Sequence, residues 1–133
     1  MKISKDIKFD CAHMLSNYEG KCANLHGHTY HGTVTIEGDT DVDKGMVLDY
    51  NEIKKIVDKY DHAIIFSSVG FRNEAEEDLL CWAQKNNMCY AVLRFGKSTA
   101  ETLALVIAEE FNLCGKVTVR LSETDGSWAE AQA

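Results

Sequence analysis

Residues 25–37 read LHGHTYHGTVTIE, and they alternate. The even positions hold His26, His28, Tyr30, Gly32, Val34 and Ile36, while the odd ones hold Thr29, His31, Thr33, Thr35 and Glu37. A period of two with β-branched residues throughout predicts a strand with one apolar and one polar face. Upstream, Ile3 to His13 repeats the pattern through Ile3, Ile7, Phe9, Cys11 and His13, with Lys5 the exception. Residues two apart on a strand point the same way. If the two strands pair as a hairpin through the loop 14–24, His13, His26 and His28 converge at one end of the sheet.

Outward from this hairpin, Asp49 with Glu52 three residues later has capping-box spacing and predicts a helix carrying Ile53, Ile56, Val57 and Tyr60 on one stripe. Asn73 caps a shorter candidate helix over 74–84. Ser98 with Glu101 predicts a third, with Leu103, Ala104, Ile107, Ala108 and Phe111 as its apolar face and Asn112 and Gly115 near its end. CYAVLRF (89–95) reads as a short strand or extended arm. Lys116 to Glu123 places Val117, Val119 and Leu121 in phase, and after the turn TDGS the tail 128–133 is expected to pair back. Strands and helices do not alternate one by one, so an α+β fold is expected: an antiparallel sheet with helices on one face, in a single domain over 1–133.

Composition sets the class. With 133 residues, 45% apolar and 26% charged, one ordinary packed domain is expected. A net charge of −7 argues against a general nucleic-acid or membrane-surface partner. The N-terminus lacks an apolar signal segment and no run is long enough to span a bilayer, so a soluble, cytoplasmic protein is expected. Five cysteines without a CxxC pair read as reduced thiols, most of them small buried hydrophobes.

The chemistry-bearing residues cluster. Neutral imidazole suits zinc, and three such ligands leave a fourth position for water or substrate. A lone histidine at a strand end is more often a satisfied structural residue, but a His-x-His pair with a third in phase is more specific. His31 falls on the threonine-rich face and is expected not to be a ligand. Cys22 has three readings: fourth ligand of a closed site, inert buried thiol, or a thiolate made reactive by a neighbouring cation. Its loop, NYEGKCAN, is polar, which disfavours the inert reading. Asp61 and His62 form an adjacent acid–imidazole pair, although neighbours in extended chain point oppositely and need not touch. Glu123 occupies the next inward position after Leu121. It is either a paired carboxylate able to grip an amidine-like edge or the point where the strand emerges into solvent.

The motifs FDCAH (9–13), CANLHGH (22–28), YDHA (60–63), GKSTAET (96–102) and SET (122–124) occur in this order. With them the chain resembles, over nearly its whole length, the 6-pyruvoyl-tetrahydropterin synthases and their bacterial relatives, the 6-carboxy-tetrahydropterin synthases of queuosine biosynthesis. The resemblance implies the tunnelling fold, an antiparallel four-stranded sheet with helices on one face, assembled as a homohexamer of two stacked trimers. It implies zinc held by His13, His26 and His28, with Cys22 as catalytic base. Asp61 and His62 would be acid–base partners delivered across a subunit interface, Glu123 the anchor of the pterin ring, and Ser98 and Thr99 part of the pterin pocket. The implied substrate is 7,8-dihydroneopterin triphosphate, whose charge calls for a basic mouth; Lys21, Arg72, Lys97 and Arg120 are candidates. Three departures point to the bacterial carboxy-forming branch: the Asp-His motif reads DHAIIF (61–66) without the Leu-Asn or Leu-Asp ending of many relatives, the segment over 69–95 is longer, and no Asn-Pro precedes Thr99. The presence of Cys22 sets the chain apart from the branch that carries Glu there. Elimination to the pyruvoyl product, and a non-catalytic zinc module with Cys22 as fourth ligand, are the alternatives.

Overall fold

The computed structural model describes residues 1–111 and 115–133. Two long strands, β1 (Lys2–His13) and β2 (His26–Glu37), form the expected antiparallel hairpin. Its register pairs His13 with His26, Cys11 with His28 and Phe9 with Tyr30. Strand β5 (Lys116–Thr124) pairs with β2, and β6 (Ser127–Gln132) with β5, both antiparallel. These four strands are the antiparallel sheet read from the sequence.

The sheet does not stop there. β3 (Ala63–Phe66) adds in parallel to the free edge of β1, and β4 (Tyr90–Val92) adds in parallel to β3. The sheet therefore has six strands in the order β4-β3-β1-β2-β5-β6 and is mixed, rather than four-stranded and purely antiparallel. β3 reads AIIF. Ala63 and Ile65 belong to the main core, while Ile64 and Phe66 pack with the second helix, so both sides are occupied and no polar alternation marks the strand.

Helices α1 (Tyr50–Val57) and α3 (Ala100–Glu110) cover one face of the sheet. Ile53 and Val57 of α1 and Leu103, Ala104, Ile107 and Ala108 of α3 meet Ile7, Phe9, Val34, Ile36, Val119 and Leu121 in one buried core. Helix α2 (Glu74–Lys85) stands apart. Its Leu80 and Ala83 pack on Phe66 and Ile64, the β3 side chains that alternate away from the main core. The helices are thus not all on one face.

The caps are local chemistry. Asp49 accepts the N–H of Asn51, and Asn73 accepts that of Glu76. Glu52 does not reach back to close a capping box; it pairs with Lys55. The third helix is capped by Thr99, which accepts the N–H of Thr102, one residue later than the Ser98 start expected from the sequence. Its expected end at Asn112 and the fifth cysteine, Cys114, lie outside the described residues. Of the other four cysteines, Cys11 is buried and Cys22 half-buried, but Cys81 and Cys89 are exposed, against the expectation of mostly buried thiols. Among the described residues, no helix is long and apolar enough to cross a membrane.

Candidate active site

At the end of the β1–β2 hairpin the three imidazoles meet. Ring centroids lie 4.6 Å apart for His13 and His26, 4.7 Å for His26 and His28, and 5.1 Å for His13 and His28. With a carboxylate oxygen of Glu123, their ligand atoms all fall within 4.8 Å of one another. The strand period does this: His13 and His26 are register partners, His28 is two residues on, and β5 delivers Glu123 beside them.

The hydrogen bonds fix which nitrogen faces the centre. Nδ1 of His13 lies 2.5 Å from the carbonyl of Ser98, and Nδ1 of His26 lies 2.6 Å from that of Asn24. A carbonyl can only accept, so each Nδ1 carries the proton and each Nε2 presents a lone pair. Those two Nε2 atoms face each other at 3.1 Å. In neutral rings that is lone pair against lone pair, an arrangement that a cation between them stabilises. Histidine metal ligands are commonly oriented in this way, through the other ring nitrogen to a carbonyl. The Nε2 of His28 is buried and lacks a hydrogen-bond partner. It lies 2.5 Å from Glu123 Oε1 without the alignment a hydrogen bond needs, another polar atom aimed at the same space. The donor set fits a metal ion on these grounds.

Charge and burial act together here. Burial holds His28 below the usual histidine range, against the opposing pull of Glu123, and so favours the neutral ring that a metal ion requires. Glu123 is held below the ordinary carboxylate range by the neighbouring imidazoles, His13 first and then His28 and His26, with burial opposing. The nearer of the two contacts is to His28, since His13 Nε2 is 3.6 Å away. Burial, with Glu123 adding to it, raises the Cys11 thiol to about 12, so Cys11 is an inert floor to the site.

Cys22 sits on a short turn, Lys21–Ala23, whose Cys22 carbonyl accepts the N–H of Leu15. Its thiol is not part of the four-residue group. His31 is exposed and lies at an odd position of β2, away from the triad. Asp61 and His62 do touch, with His62 Nδ1 at 3.0 Å from Asp61 Oδ2. The extended-chain argument fails because His62 adopts a left-handed backbone, φ 57°, which turns its ring back onto its neighbour. The N–H of Asp10 donates to Asp61, and this bond, with that from His62, lowers the Asp61 carboxyl from its usual range. Asp61, His62 and Asp10 form a second group, separate from the histidine triad within this chain.

Ser98 is buried with its groups committed: its hydroxyl donates to the Met14 carbonyl and its own carbonyl accepts from His13. Thr99, beside it, is half-buried at the helix cap. Glu123 lines two clefts, one shared with His28, Ser122 and Thr124 and the other with Glu101, Leu121 and Trp128. Glu101 was legible only as a capping residue; no periodicity signals that it shares a cleft with Glu123. Of the basic candidates, Arg72 is engaged by Glu77 and the Ser67 carbonyl, Lys97 by the Ser16 carbonyl, and Arg120 stacks on Trp128 at 3.7 Å. Lys21 is exposed.

A family profile described as 6-pyruvoyl tetrahydropterin synthase matches residues 2–133. The chain belongs to the 6-pyruvoyl tetrahydropterin synthase family. Among its relatives, the 6-carboxy-5,6,7,8-tetrahydropterin synthase of Haemophilus influenzae is 38% identical, covering 98% of each chain. That of Synechocystis is 34% identical over 60% of this chain and 69% of its own. In fold, an uncharacterized protein of Wolinella succinogenes matches with TM-score 0.70 at 21% identity over 98% of this chain and 97% of its own. The 6-pyruvoyl tetrahydropterin synthase of Plasmodium vivax matches with TM-score 0.64 at 17% identity, over 100% and 98%.

Proposed function

We propose that the chain is a zinc-dependent 6-carboxy-5,6,7,8-tetrahydropterin synthase. It would convert 7,8-dihydroneopterin triphosphate, with uptake of water, to 6-carboxytetrahydropterin, acetaldehyde and triphosphate, a step of queuosine biosynthesis. The observation that carries the reading is the orientation of three histidines toward one point: two have their Nδ1 protons committed to carbonyls, and the third has an orphaned Nε2. The relative that shares nearly the whole chain, through the activity it is named for, supplies the reaction.

His13, His26 and His28 would hold the zinc ion. When bound, zinc supplies a Lewis acid that binds the side-chain hydroxyls of the substrate and acidifies the adjoining C–H and O–H groups. Cys22, apart from the histidines on a polar turn, takes a proton from the carbon side chain. Asp61 orients His62 through the 3.0 Å contact, and His62, which is largely exposed, delivers or removes a proton in the site of a neighbouring subunit. That role fits the separation of this pair from the triad within one chain, and it calls for a neighbouring subunit, which the homohexamer would supply. Glu123, ionised and lining two clefts, accepts two N–H bonds from the amidine-like edge of the pterin ring. Thr99, at the mouth of α3, borders the ring pocket.

The test is product analysis. Incubation with 7,8-dihydroneopterin triphosphate should release acetaldehyde and triphosphate in equal amounts, with 6-carboxytetrahydropterin identified by mass spectrometry. Triphosphate released without acetaldehyde would assign the pyruvoyl-forming reaction instead, and no turnover by the zinc-loaded protein would remove the enzymatic reading.

A further inference from the structure

Glu76, in the first turn of α2, is fully buried. A carboxyl group there is costly unless its oxygens are satisfied. Both are. The N–H of Ser67 donates to Oε1 at 2.7 Å, and the hydroxyl of Ser16 donates to Oε2. From Ser67 the bonds continue inward. Its hydroxyl accepts the N–H of Ser98 at 3.0 Å, and the Ser98 carbonyl accepts Nδ1–H of His13 at 2.5 Å. A second route starts at Ser16, three residues after His13. Its hydroxyl also accepts the N–H of Asn73, the α2 cap, at 3.0 Å, and its carbonyl accepts from Lys97, the neighbour of Ser98, at 3.1 Å. Ser16, Ser67, Ser98 and His13 are all buried, so water does not compete for these bonds.

We infer that Glu76 is a positioning residue for the metal centre, acting through Ser67 and Ser98 to hold the carbonyl that sets the tautomer and tilt of His13. The inference rests on the reading of the three histidines as metal ligands. It also gives the segment 69–95 a role in the site, because α2 carries the buried acid that braces a ligand on β1. Loss of a partner behind a ligating histidine typically weakens metal binding 10–100-fold.

The test uses full-length protein stripped of metal and titrated with Co2+ against a competing chelator, the visible d–d spectrum reporting ligand geometry. Ser67→Ala deletes one hydroxyl and should fold; Glu76→Gln alters the acid itself. Because the Ser98 carbonyl itself remains, each should weaken Co2+ binding by up to about 10-fold, the low end of the range for a direct partner, and change the spectrum, and the double variant should lose less than the product of the two single effects. Leu80→Ala, on the same helix and outside the network, should lower the urea midpoint but leave Co2+ affinity and spectrum as in the unsubstituted protein. Unchanged affinity and spectrum in Ser67→Ala and Glu76→Gln would overturn the inference, as would an equal spectral change in Leu80→Ala. A different pattern, in which the unsubstituted protein and His13→Ala bind Co2+ alike, would sink the metal reading and take the inference with it.

Discussion

Gly32 offers a sharp test of the sheet that carries the site. It lies midway along β2, opposite Leu121 of β5. A Cβ built there would stand 2.1 Å from the carbonyl oxygen of Arg120 and 2.9 Å from Leu121 Cδ2. The first contact is backbone and is more than roughly 1 Å short of ordinary packing. A rotamer change therefore cannot relieve it, and β5 must move away from β2. Overpacking of a tight site costs about 1–3 kcal/mol, and each ladder hydrogen bond that is lost adds about 0.5–1.5 kcal/mol. Gly32→Ala should accordingly destabilise the protein by about 2–4 kcal/mol, a large share of the roughly 5–15 kcal/mol typical of a domain. Gly27→Ala is the control. It adds the same methyl group to the same strand, but the nearest atom, the Cys11 carbonyl oxygen, is 3.4 Å away. Its cost should stay within about 0.5 kcal/mol, and relief of backbone entropy can make it stabilising. Urea denaturation of the metal-free protein, with both variants at the same protein concentration, measures both. The displacement also carries Glu123, three residues beyond Arg120, away from His28. Equal urea midpoints for the two variants would refute the close β2–β5 approach and with it the placement of Glu123.

Two further predictions follow from the surroundings of single groups. Brief alkylation of the folded protein, read by peptide mass spectrometry, should label the exposed Cys81 and Cys89 and spare Cys11, which is buried and raised to about 12; fast labelling of Cys11 would contradict the packed floor beneath the triad. Asp61 titrates below its usual value of 3.8 in the folded protein, so its contribution to stability is present above that value and lost as pH falls through the lowered one. The stability difference between the unsubstituted protein and Asp61→Asn should therefore shrink on acidification from pH about 5 to about 2, and a difference that stays constant with pH would show that Asp61 is not held ionised by Asp10 and His62.

The hairpin was legible because its period is broken only at Lys5, and the convergence of His13, His26 and His28 follows from alternation and one loop. The third helix was legible for the same reason, but its cap was read one residue early. Ser98 and Thr99 both suit a cap, and only the pull of His13, Ser67 and Met14 on Ser98 decides between them. β4 was legible as the short strand or extended arm read over 89–95, whereas β3 was hidden because four residues are too few to show a period and it is covered on both sides. The contact between Asp61 and His62 was hidden by a single left-handed residue that no spacing announces. Glu76 was hidden more thoroughly. In sequence it is one of four acidic residues among EAEED, ordinary for a first helical turn, and burial alone sets it apart.

The central claim is that metal and thiol are separate functions on adjacent stretches of chain, and Cys22→Ala tests it most directly. Zinc per chain and turnover of 7,8-dihydroneopterin triphosphate, measured on the same sample, should show zinc retained at the level of the unsubstituted protein and turnover lost. Zinc lost together with the thiol would contradict the account and make Cys22 the fourth ligand of a closed site.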